Sequence, residues 1–322
     1  MKKYCFCISA YNESESIENC ILSALRASRG FSADVYVLNN GSEDSTENKI
    51  NELHKNHSFN FTNFQENKTL QEARDFLLRN CGSEYAIFVD ADGRIMENYL
   101  SVLDIYASNN YSIYSGPVLE NKRNENLIYE LHFKSLIETD KKFLIGANLV
   151  VNTKAAILSG GFKNITRKRG DETALIFQMK KDGCKHLFIK DLITTNNFSN
   201  NIYDFFKCSF DEGINSFILN YEFSIHNSMI YHLVRSISTV GIIISLLGIF
   251  WASYQAVMVG FLLILIPILR RFTYWKYAFL SCFKNNVPKR FWYLFCIFIS
   301  YIILDYGYWY AKFMKFKPRS KI

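Results

Sequence analysis

Two acidic side chains, Asp90 and Asp92, flank one small residue directly after the apolar run Tyr85–Val89. Side chains two residues apart in an extended segment point the same way, so these two carboxylates converge. Carboxylate oxygens suit Mg²⁺ or Mn²⁺, and an ion held by so few protein ligands completes its shell with water and phosphate oxygens. A lone D-x-D is more often an ordinary acidic turn than a metal site. Its meaning therefore depends on the elements that position it.

Predicted strands and helices alternate over the first 90 residues. The run before Asp90 is continuously apolar, which is typical of a strand buried on both faces of a parallel sheet. Apolar runs predict strands at Tyr4–Ser9, Asp34–Leu38, Phe59–Phe64 and Tyr85–Val89, and helical spacing predicts helices at Ile17–Arg26, Ser45–Lys55 and Leu70–Asn80. This order with short connections predicts a doubly wound α/β domain whose sheet is largely parallel.

Polar clusters follow three of these strands, at Ala10–Glu13, Asn39–Asp44 and Asp90–Asp92. Ligands of open α/β sheets bind at the carboxyl ends of the strands. We therefore expect all three clusters to line one crevice. Beyond residue 140 the pattern is less regular: it predicts a strand over Phe143–Val151 interrupted at Gly146, and a helix over Asp171–Lys181 that ends at Gly183.

Seven segments in order resemble the family 2 glycosyltransferases, which have the GT-A fold. The resemblance covers roughly residues 4–190, and although each motif is weak alone, seven in the family's order are specific. The segments are Ile8-Ser9-Ala10-Tyr11-Asn12-Glu13, Val35 through Thr46, Asn67 through Asp75 with Ala73-Arg74 at its core, Asp90-Ala91-Asp92, Gly146-Ala147-Asn148, Gly160-Gly161-Phe162 and Gly170-Asp171-Glu172.

The resemblance implies roles on the donor side. Four side chains would lie near the nucleotide: Tyr11, Glu13, Asn39 and Arg74. Asp90 would approach the ribose or the donor sugar and share in metal binding. Asp92 would ligate a divalent cation, Mg²⁺ or Mn²⁺, that bridges the two phosphates of a nucleotide-sugar.

On the acceptor side, the pair Asp171-Glu172 matches the family's acidic pair that supplies the catalytic base. A carboxylate near the acceptor hydroxyl takes its proton as the hydroxyl attacks. One such base opposite the leaving group means a single displacement with inversion at the anomeric carbon. The family's order is usually Glu then Asp, so the position favours Glu172 and the chemistry favours Asp171. The sequence leaves both open.

Other departures from the family concern the nucleobase and the product. Asn39 stands where the family usually has Asp, and an amide still donates and accepts at a uracil edge, so a UDP-sugar remains the expected donor. Thr69 replaces a glycine of the helix motif. No Q-x-x-R-W motif of processive members is present. We therefore expect a single addition rather than polymer synthesis.

The basic run Arg167-Lys168-Arg169 precedes the acidic pair. A solvated charged loop is the default interpretation, and a loop that clamps the diphosphate is the sharper one.

The last third of the chain is strongly apolar. Residues 236–269 carry no charge, and one straight helix over them would span about 51 Å against a hydrocarbon core of roughly 30 Å. The aromatic and polar residues around Trp251 and Gln255 suit a turn at headgroup level, so we expect a helical hairpin. The apolar, aromatic-rich run over residues 291–311 predicts a third span or an interfacial segment. A third crossing would export the five basic residues of the tail, against the positive-inside rule.

The net charge of +7 comes with basic residues around these apolar runs, which indicates membrane lipids rather than nucleic acid. The eight cysteines form no C-x-x-C pair, and no apolar leader opens the chain, so we expect reduced thiols and a catalytic domain facing the cytoplasm.

Together these features predict three parts: a GT-A domain over 1–200, an interfacial amphipathic segment over 201–232, and membrane helices over 233–322. The expected activity is an inverting glycosyl transfer from a nucleotide-sugar to an acceptor hydroxyl, with a lipid-linked saccharide of cell-envelope polysaccharide synthesis as acceptor. The alternative is a non-catalytic nucleotide-binding membrane protein of the same fold. A sugar nucleotidyltransferase would need a Gly-rich basic loop after the first strand, and Ala10–Ser16 has none.

Overall fold

The computed structural model of the chain describes residues 2–107, 111–121, 126–139, 146–162, 170–223, 254–270, 272–283 and 287–314, with scattered positions between 237 and 251. The chain divides into two units: residues 1–124 with 141–198, and residues 125–140 with 199–320. The three-part division with borders at 200 and 232 stays a prediction.

The first unit alternates strands and helices as predicted, and over the first 90 residues their ends differ from the predicted ones by at most two residues. Its strands are β1 (Lys2–Ala10), β2 (Ala33–Asn40), β3 (Asn60–Phe64), β4 (Ser83–Asp90), β5 (Arg94–Ile95), β6 (Ile113–Ser115), β7 (Val118–Glu120), β8 (Leu149–Asn152), β9 (His186–Phe188) and β10 (Thr194–Asn196). Its helices are α1 (Ile17–Ala27), α2 (Thr46–Asn56), α3 (Leu70–Asn80), α4 (Tyr99–Tyr106), α6 (Thr153–Leu158) and α7 (Asp171–Lys181), while α5 (Lys134–Thr139) belongs to the second unit.

The main sheet has seven strands in the order β3-β2-β1-β4-β8-β6-β9. The first four strands run parallel, and β8 is antiparallel to both of its neighbours. The chain order reverses between β1 and β4, which makes this the switch point where ligands bind in doubly wound sheets. The largely parallel α/β sheet predicted from the sequence is confirmed, with β8 as the departure.

Both faces of this sheet are covered, which explains the continuously apolar strands. Side chains of β1 alternate: Tyr4, Phe6 and Ile8 face a core formed with α1 and α4, while Cys5 and Cys7 face a second core formed with α3, α6 and α7. Each fully buried side chain of leucine size contributes roughly 1.5–3 kcal/mol to the stability of the fold. The two cores together therefore hold the sheet in place. All eight cysteines lie among the described residues, and none of them is in a disulfide.

The predicted strand over Phe143–Val151 lies partly outside the described residues, and its described part, from Gly146 on, differs from the prediction. Strand β8 begins only at Leu149, because Gly146–Asn148 form a 3₁₀ turn. The amide of Asn148 explains the turn: it donates to the carbonyl oxygens of Pro117 and Leu192, at 3.1 and 2.6 Å, and accepts from the Tyr99 hydroxyl at 2.7 Å. Buried side-chain bonds thus replace a strand ladder here.

A small second sheet of the same unit has the order β5-β10-β7. Strand β5 follows the D-x-D directly and pairs antiparallel with β10, near the end of the unit. Gly93 permits this crossing, since a Cβ there would lie 2.9 Å from the carbonyl oxygen of Thr195. The second sheet therefore holds residues 194–197 against the D-x-D turn.

The second unit is helical where it is described. A short π-helix, Tyr129–Phe133, leads into α5, and the later helices are α8 (Ile202–Phe223), α9 (Tyr254–Arg270), α10 (Phe272–Ser281) and α11 (Val287–Phe313). Gly213 of α8 and Gly307 of α11 let the two backbones approach closely, because a Cβ on either would collide with a carbonyl oxygen of the other helix. Buried Arg290 donates to Glu130 at 2.9 Å, which satisfies its charge.

One helix among the described residues, α11, is long and apolar enough to cross a membrane, with a mean hydropathy of 1.5. Several of its large side chains are exposed, including Trp292, Phe295 and Phe313. The predicted hairpin over 236–269 lies only partly within the described residues and stays a prediction: helix α9 covers its second half, and the residues around Trp251 are scattered positions.

The turn after β2 provides a test of the backbone near the site. Gly41 has φ +69, and a Cβ on it would lie 2.5 Å from the backbone of Glu66 and Asn67. Gly30 has φ +80 and nothing within 4 Å. We expect Gly41→Ala to lower the free energy of unfolding by about 3 kcal/mol, and Gly30→Ala by about 1 kcal/mol, because only Gly41 adds a clash to the unfavourable φ. Denaturant unfolding of both variants measures this, and equal losses would contradict the clash.

Candidate active site

The D-x-D stands at the switch point of the main sheet. Asp90 is the last residue of β4 and lies beside Ser9 of β1 in the register of the two strands. The backbone turns at once, since the Gly93 amide donates to the Asp90 carbonyl oxygen at 2.9 Å. Ala91 is buried, whereas Asp90 and Asp92 remain partly accessible. The two carboxylates are thus presented at the carboxyl edge, as predicted.

These carboxylates share their surroundings with Glu13 from the loop after β1. Burial raises the pKa of Asp92 to about 7, and the charges of Asp90 and Glu13 add to the rise. Burial also raises the pKa of Glu13, with further contributions from Asp90 and Asp44 that a hydrogen bond from Ser16 partly offsets. Three acidic groups therefore repel one another in a half-buried site, which a bound cation would relieve.

The donor set fits a hard divalent cation with few protein ligands. Among the described residues, no cluster of three or more His, Cys, Asp or Glu side chains is arranged to hold an ion alone. Two carboxylates plus water and phosphate oxygens is the usual shell of Mg²⁺ in nucleotide sites, and Mn²⁺ takes the same oxygen ligands. Asp92 and Asp90 are the residues that would hold such an ion.

Asn196 and Asn197 also reach the D-x-D, and sequence reasoning missed both. The Asn196 amide donates to Asp90 Oδ2 at 3.4 Å, and the Asn197 amide donates to the Asp92 carbonyl oxygen at 3.5 Å. Asn196 ends β10 and Asn197 follows it, and this strand of three residues is too short to leave a clear periodic pattern. A polar cluster at a strand end was the available signal, but the strand itself went unrecognised.

The loops after β1 and β2 are joined to each other. The Asn12 amide N–H donates to Ser42 Oγ at 3.0 Å, and the Glu43 N–H donates to Asn12 Oδ1 at 2.9 Å. The Glu13 N–H donates to Thr46 Oγ1 at 2.8 Å. Asn12 adopts φ 55, a left-handed conformation that asparagine tolerates. The structure thus brings the predicted residues Tyr11 and Glu13, of which Tyr11 is exposed, next to the turn after Asn39.

Asn39 is fully buried, and its amide is engaged within the protein. It accepts from Ser42 Oγ at 2.6 Å and donates to Asn63 Oδ1, and Asn63 in turn donates to Glu47 Oε1 at 2.8 Å. The register of β2 and β3 places Asn39 directly beside Asn63. This chain of side chains includes two residues, Asn63 and Glu47, that the motifs did not single out.

Arg74 connects the D-x-D with the acidic pair. Its Nη2 donates to Asp90 Oδ1 and its Nη1 donates to Asp171 Oδ2, both at 2.9 Å, and Nη1 lies 3.6 Å from Glu172 Oε2. The side chain is 8% exposed. Burial alone would lower the pKa of Arg74, but the three carboxylates outweigh it and raise the pKa further above its usual range. The structure therefore places Arg74 among carboxylates, and the predicted nucleotide contact stays a prediction.

The acidic pair opens helix α7, directly after Gly170 with φ 86. Asp171 is 1% exposed and Glu172 is 18% exposed. Burial alone would raise the pKa of Asp171, but the Arg74 charge and its hydrogen bond hold that pKa below its usual value. Burial, followed by the charge of Asp171, raises the pKa of Glu172 to about 8. The two acids thus differ: one is an ionised partner of Arg74, and the other is more accessible and proton-binding.

Gly146 of the predicted Gly-Ala-Asn segment packs against the side chains of Arg74 and Glu172. A Cβ on it would lie 3.1 Å from Arg74 Nη1 and 3.2 Å from Glu172 Cδ. The run Arg167-Lys168-Arg169, for which a diphosphate clamp was predicted, lies outside the described residues. The described geometry therefore includes all eight predicted site residues but leaves the clamp a prediction.

Comparison with known proteins agrees with this geometry. The sequence profile of glycosyl transferase family 2 matches residues 5–168, about half of the chain. The chain belongs to glycosyl transferase family 2. It is a glycosyltransferase, and the family predicted from the seven motifs is confirmed.

Similar sequences come from staphylococcal polymer synthases. The poly-beta-1,6-N-acetyl-D-glucosamine synthases of Staphylococcus epidermidis and of Staphylococcus aureus strain COL are each 31% identical to this glycosyltransferase over 87 residues. The matched part is 27% of this chain and 21% of each synthase. The similarity thus covers a small part of those proteins.

Similar structures include the mannosyltransferase PcManGT from Pyrobaculum calidifontis in complex with GDP-Man and Mn²⁺. It has a TM-score of 0.62 and 13% identity over 97% of this chain and 88% of its own. Staphylococcus aureus TarS 1-349 in complex with UDP-GlcNAc has a TM-score of 0.50 and 15% identity, over 69% of this chain and 73% of its own. At these identities the likeness shows the fold, and the GT-A fold of family 2 is confirmed.

The raised pKa of Asp92 predicts pH-dependent cation binding. A proton and a cation compete for this carboxylate, and its ionised fraction rises about tenfold from pH 6 to pH 8 around a pKa of about 7. We expect the apparent Mn²⁺ affinity, measured from the shift in thermal unfolding, to be about tenfold weaker at pH 6 than at pH 8. Asp92→Asn should abolish the shift in thermal unfolding that Mn²⁺ causes. Asp34→Asn, at the opposite end of β2, is the control, and an unchanged Mn²⁺ shift in Asp92→Asn would contradict the assignment.

Proposed function

We propose that this glycosyltransferase moves a sugar from a nucleotide-sugar to an acceptor hydroxyl with inversion, using a divalent cation. The observation that carries the proposal is the arrangement of two acidic groups around Arg74: the D-x-D on one side and Asp171-Glu172 on the other. One end has the ligands for a diphosphate-bound cation, and the other end has a carboxylate suited to take a proton.

The leaving-group half of the reaction rests on Asp90, Asp92 and Glu13. Departure of a nucleoside diphosphate builds negative charge, and a bound Mg²⁺ or Mn²⁺ would stabilise that charge as a Lewis acid. The three carboxylates repel one another. Their negative charge therefore attracts a cation, and it disfavours an anion as long as no cation is bound. Asp90 would orient the donor, and the hydrogen bond from Arg74 Nη2 to Asp90 Oδ1 holds the Asp90 carboxylate in place.

The base half of the reaction rests on Glu172. Asp171 is sealed at 1% exposure and paired with Arg74, whereas Glu172 retains 18% exposure. A pKa of Glu172 near 8 lies close to the working pH, where a general base combines a useful ionised fraction with strong proton affinity. In the transfer, the acceptor oxygen forms the bond to the anomeric carbon, the bond to the diphosphate breaks, and Glu172 takes the hydroxyl proton. Asp171 holds Arg74 and thereby Glu172.

For the donor, we propose a UDP-sugar, with UDP-GlcNAc as the first to test. TarS was solved with UDP-GlcNAc, and the similar synthases have N-acetylglucosamine in their product's name. PcManGT, solved with GDP-Man, makes GDP-mannose the comparison donor. The missing Q-x-x-R-W motif supports a single addition, even though the similar synthases make a polymer.

For the acceptor, we propose a lipid-linked saccharide of cell-envelope polysaccharide synthesis, reached at the cytoplasmic face of the cell membrane. The candidate span α11 and its exposed aromatic side chains support an anchor in membrane lipids. A site anchored this way meets lipid-linked substrates by diffusion in two dimensions. The non-catalytic alternative predicts donor binding without transfer.

Transfer assays with matched isosteric variants test the base. We expect Glu172→Gln to lower kcat by about 10²–10⁴-fold, with the donor KM and the unfolding temperature nearly unchanged, because only the proton acceptor is lost. Asp171→Asn should instead lower the free energy of unfolding by about 3 kcal/mol, because it leaves the buried Arg74 charge poorly paired. The reverse pattern would assign the base to Asp171. Donor binding by the wild type without any transfer would favour the non-catalytic alternative.

The anchor has its own test. We expect the full chain to sediment with membranes, to resist extraction at high salt and high pH, and to be released by detergent, because α11 would be held by apolar burial rather than by charge. Protease access to a C-terminal tag in intact cells then decides on which side the basic tail lies. Release by salt alone would contradict a spanning helix.

A further inference from the structure

Arg74 occupies a position that the proposed chemistry does not by itself require. A donor site and a base need to be about one sugar ring apart, but nothing in that chemistry requires them to share one cation. Here a single guanidinium bonds Asp90 at the end of β4 and Asp171 at the start of α7, both at 2.9 Å. These two residues are 81 positions apart in the sequence.

The charge balance makes this guanidinium decisive for its neighbours. In the part of the chain that the structure describes, Arg74 is the one Lys or Arg side chain within ion-pair distance of Asp90, Asp171 or Glu172. It is 8% exposed, so solvent screens its field only weakly. Any change in its pairing with Asp90 therefore alters the field at the acidic pair.

The planar fork of arginine suits this position, and lysine does not. Two N–H groups on different nitrogens reach carboxylates on opposite sides, which one ammonium group cannot do with the same geometry. Gly146 leaves room for this plane, because a Cβ there would stand 3.1 and 3.2 Å from the two terminal nitrogens of Arg74. The backbone around the cluster is thus shaped to a guanidinium.

Resting on the proposed function, we infer that Arg74 is a positioning residue that couples the donor half of the site to the base half, and not a nucleotide ligand. It holds Asp90 and Asp171 in fixed places, and its charge favours the ionised form of Glu172. When a cation engages Asp90, the Arg74 charge is left to Asp171 and Glu172. Donor binding and readiness of the base are then linked through one side chain.

The charged groups around Glu172 determine the sign of the effect. Asp171 on α7 disfavours its ionisation, Arg74 on α3 favours it, and Asp90 on β4 acts through Arg74; Gly146 carries no charge. Removing the Arg74 charge must therefore raise the pKa of Glu172. An opposite charge at this range shifts a pKa by about 1–3 units.

The test compares Arg74→Met and Arg74→Lys with Arg79→Met and Arg79→Lys. Arg79 lies on the same helix and pairs with Asp75 at 2.6 Å, but its side chain is about half-exposed and lies outside the site. At saturating Mn²⁺, the acidic limb of the kcat/KM profile should move up by at least about 1 pH unit in Arg74→Met and by less in Arg74→Lys. At pH 7 this corresponds to a loss of about tenfold or more. The Arg79 variants should leave the limb in place.

A second readout needs no turnover. The carboxyl ¹³C signal of Glu172, assigned by its loss in Glu172→Gln, should titrate at a higher pH in Arg74→Met than in the wild type without donor or metal. If Arg74→Met fails to fold, Arg74→Gln, which also removes the charge but keeps a polar side chain, is titrated in its place. An unmoved limb and titration with a raised donor KM would restore the nucleotide role and overturn the inference. An unmoved titration with only a lower unfolding temperature would reduce Arg74 to a structural role and also overturn it.

Failure of the proposed function has a different signature. A wild-type protein that transfers no sugar from UDP-GlcNAc or GDP-mannose would contradict that function. In that case the Glu172 titration alone decides the coupling: a rise in Arg74→Met supports it and an unchanged midpoint overturns it.

Discussion

One buried guanidinium, that of Arg74, is the interaction on which the rest of the site depends. Five acidic side chains converge at the carboxyl edge of the sheet: Glu13, Asp90, Asp92, Asp171 and Glu172. Like charges in a half-buried site repel one another. Arg74 offsets the inner part of this charge, toward Asp171 and Asp90, and leaves the outer part, around Asp92 and Glu13, uncompensated. The buried carboxylates are thus balanced by Arg74, while the more accessible ones stay negatively charged where a cation and a diphosphate are proposed to bind.

The scaffold can sustain such a cluster because its strands and helices fix every participant. Strand β4 ends in Asp90 between two buried cores, α3 carries Arg74 on its buried side, and α7 begins at Asp171. A buried ion pair recovers its desolvation cost only when its geometry is held well, and loss of one partner leaves an unmatched charge. Small residues at Gly146 and Gly93 complete the fit, since each faces a polar group at contact distance.

The two acids of the pair show how similar residues acquire different roles. Neighbouring residues at the start of one helix point in different directions around the helix axis. Asp171 is therefore directed inward to Arg74, while Glu172 stays partly accessible. The resulting separation of their pKa values is the usual way in which proteins assign one carboxylate to structure and another to proton transfer. The reversed order of the pair relative to the family is compatible with this division.

The sequence by itself determined the α/β class, the family, and the strand ends that bear Glu13, Asn39 and Asp90, because apolar periodicity and local motifs report on neighbours in the chain. It left the choice between Asp171 and Glu172 open, and it missed Asn196, Asn197 and Asn63. The tertiary structure decided the placement of Arg74 between Asp90 and Asp171, which are 16 and 97 positions from it in the chain. Such pairings depend on how helices pack on a sheet and on which side chain is buried, and neither spacing nor composition records that.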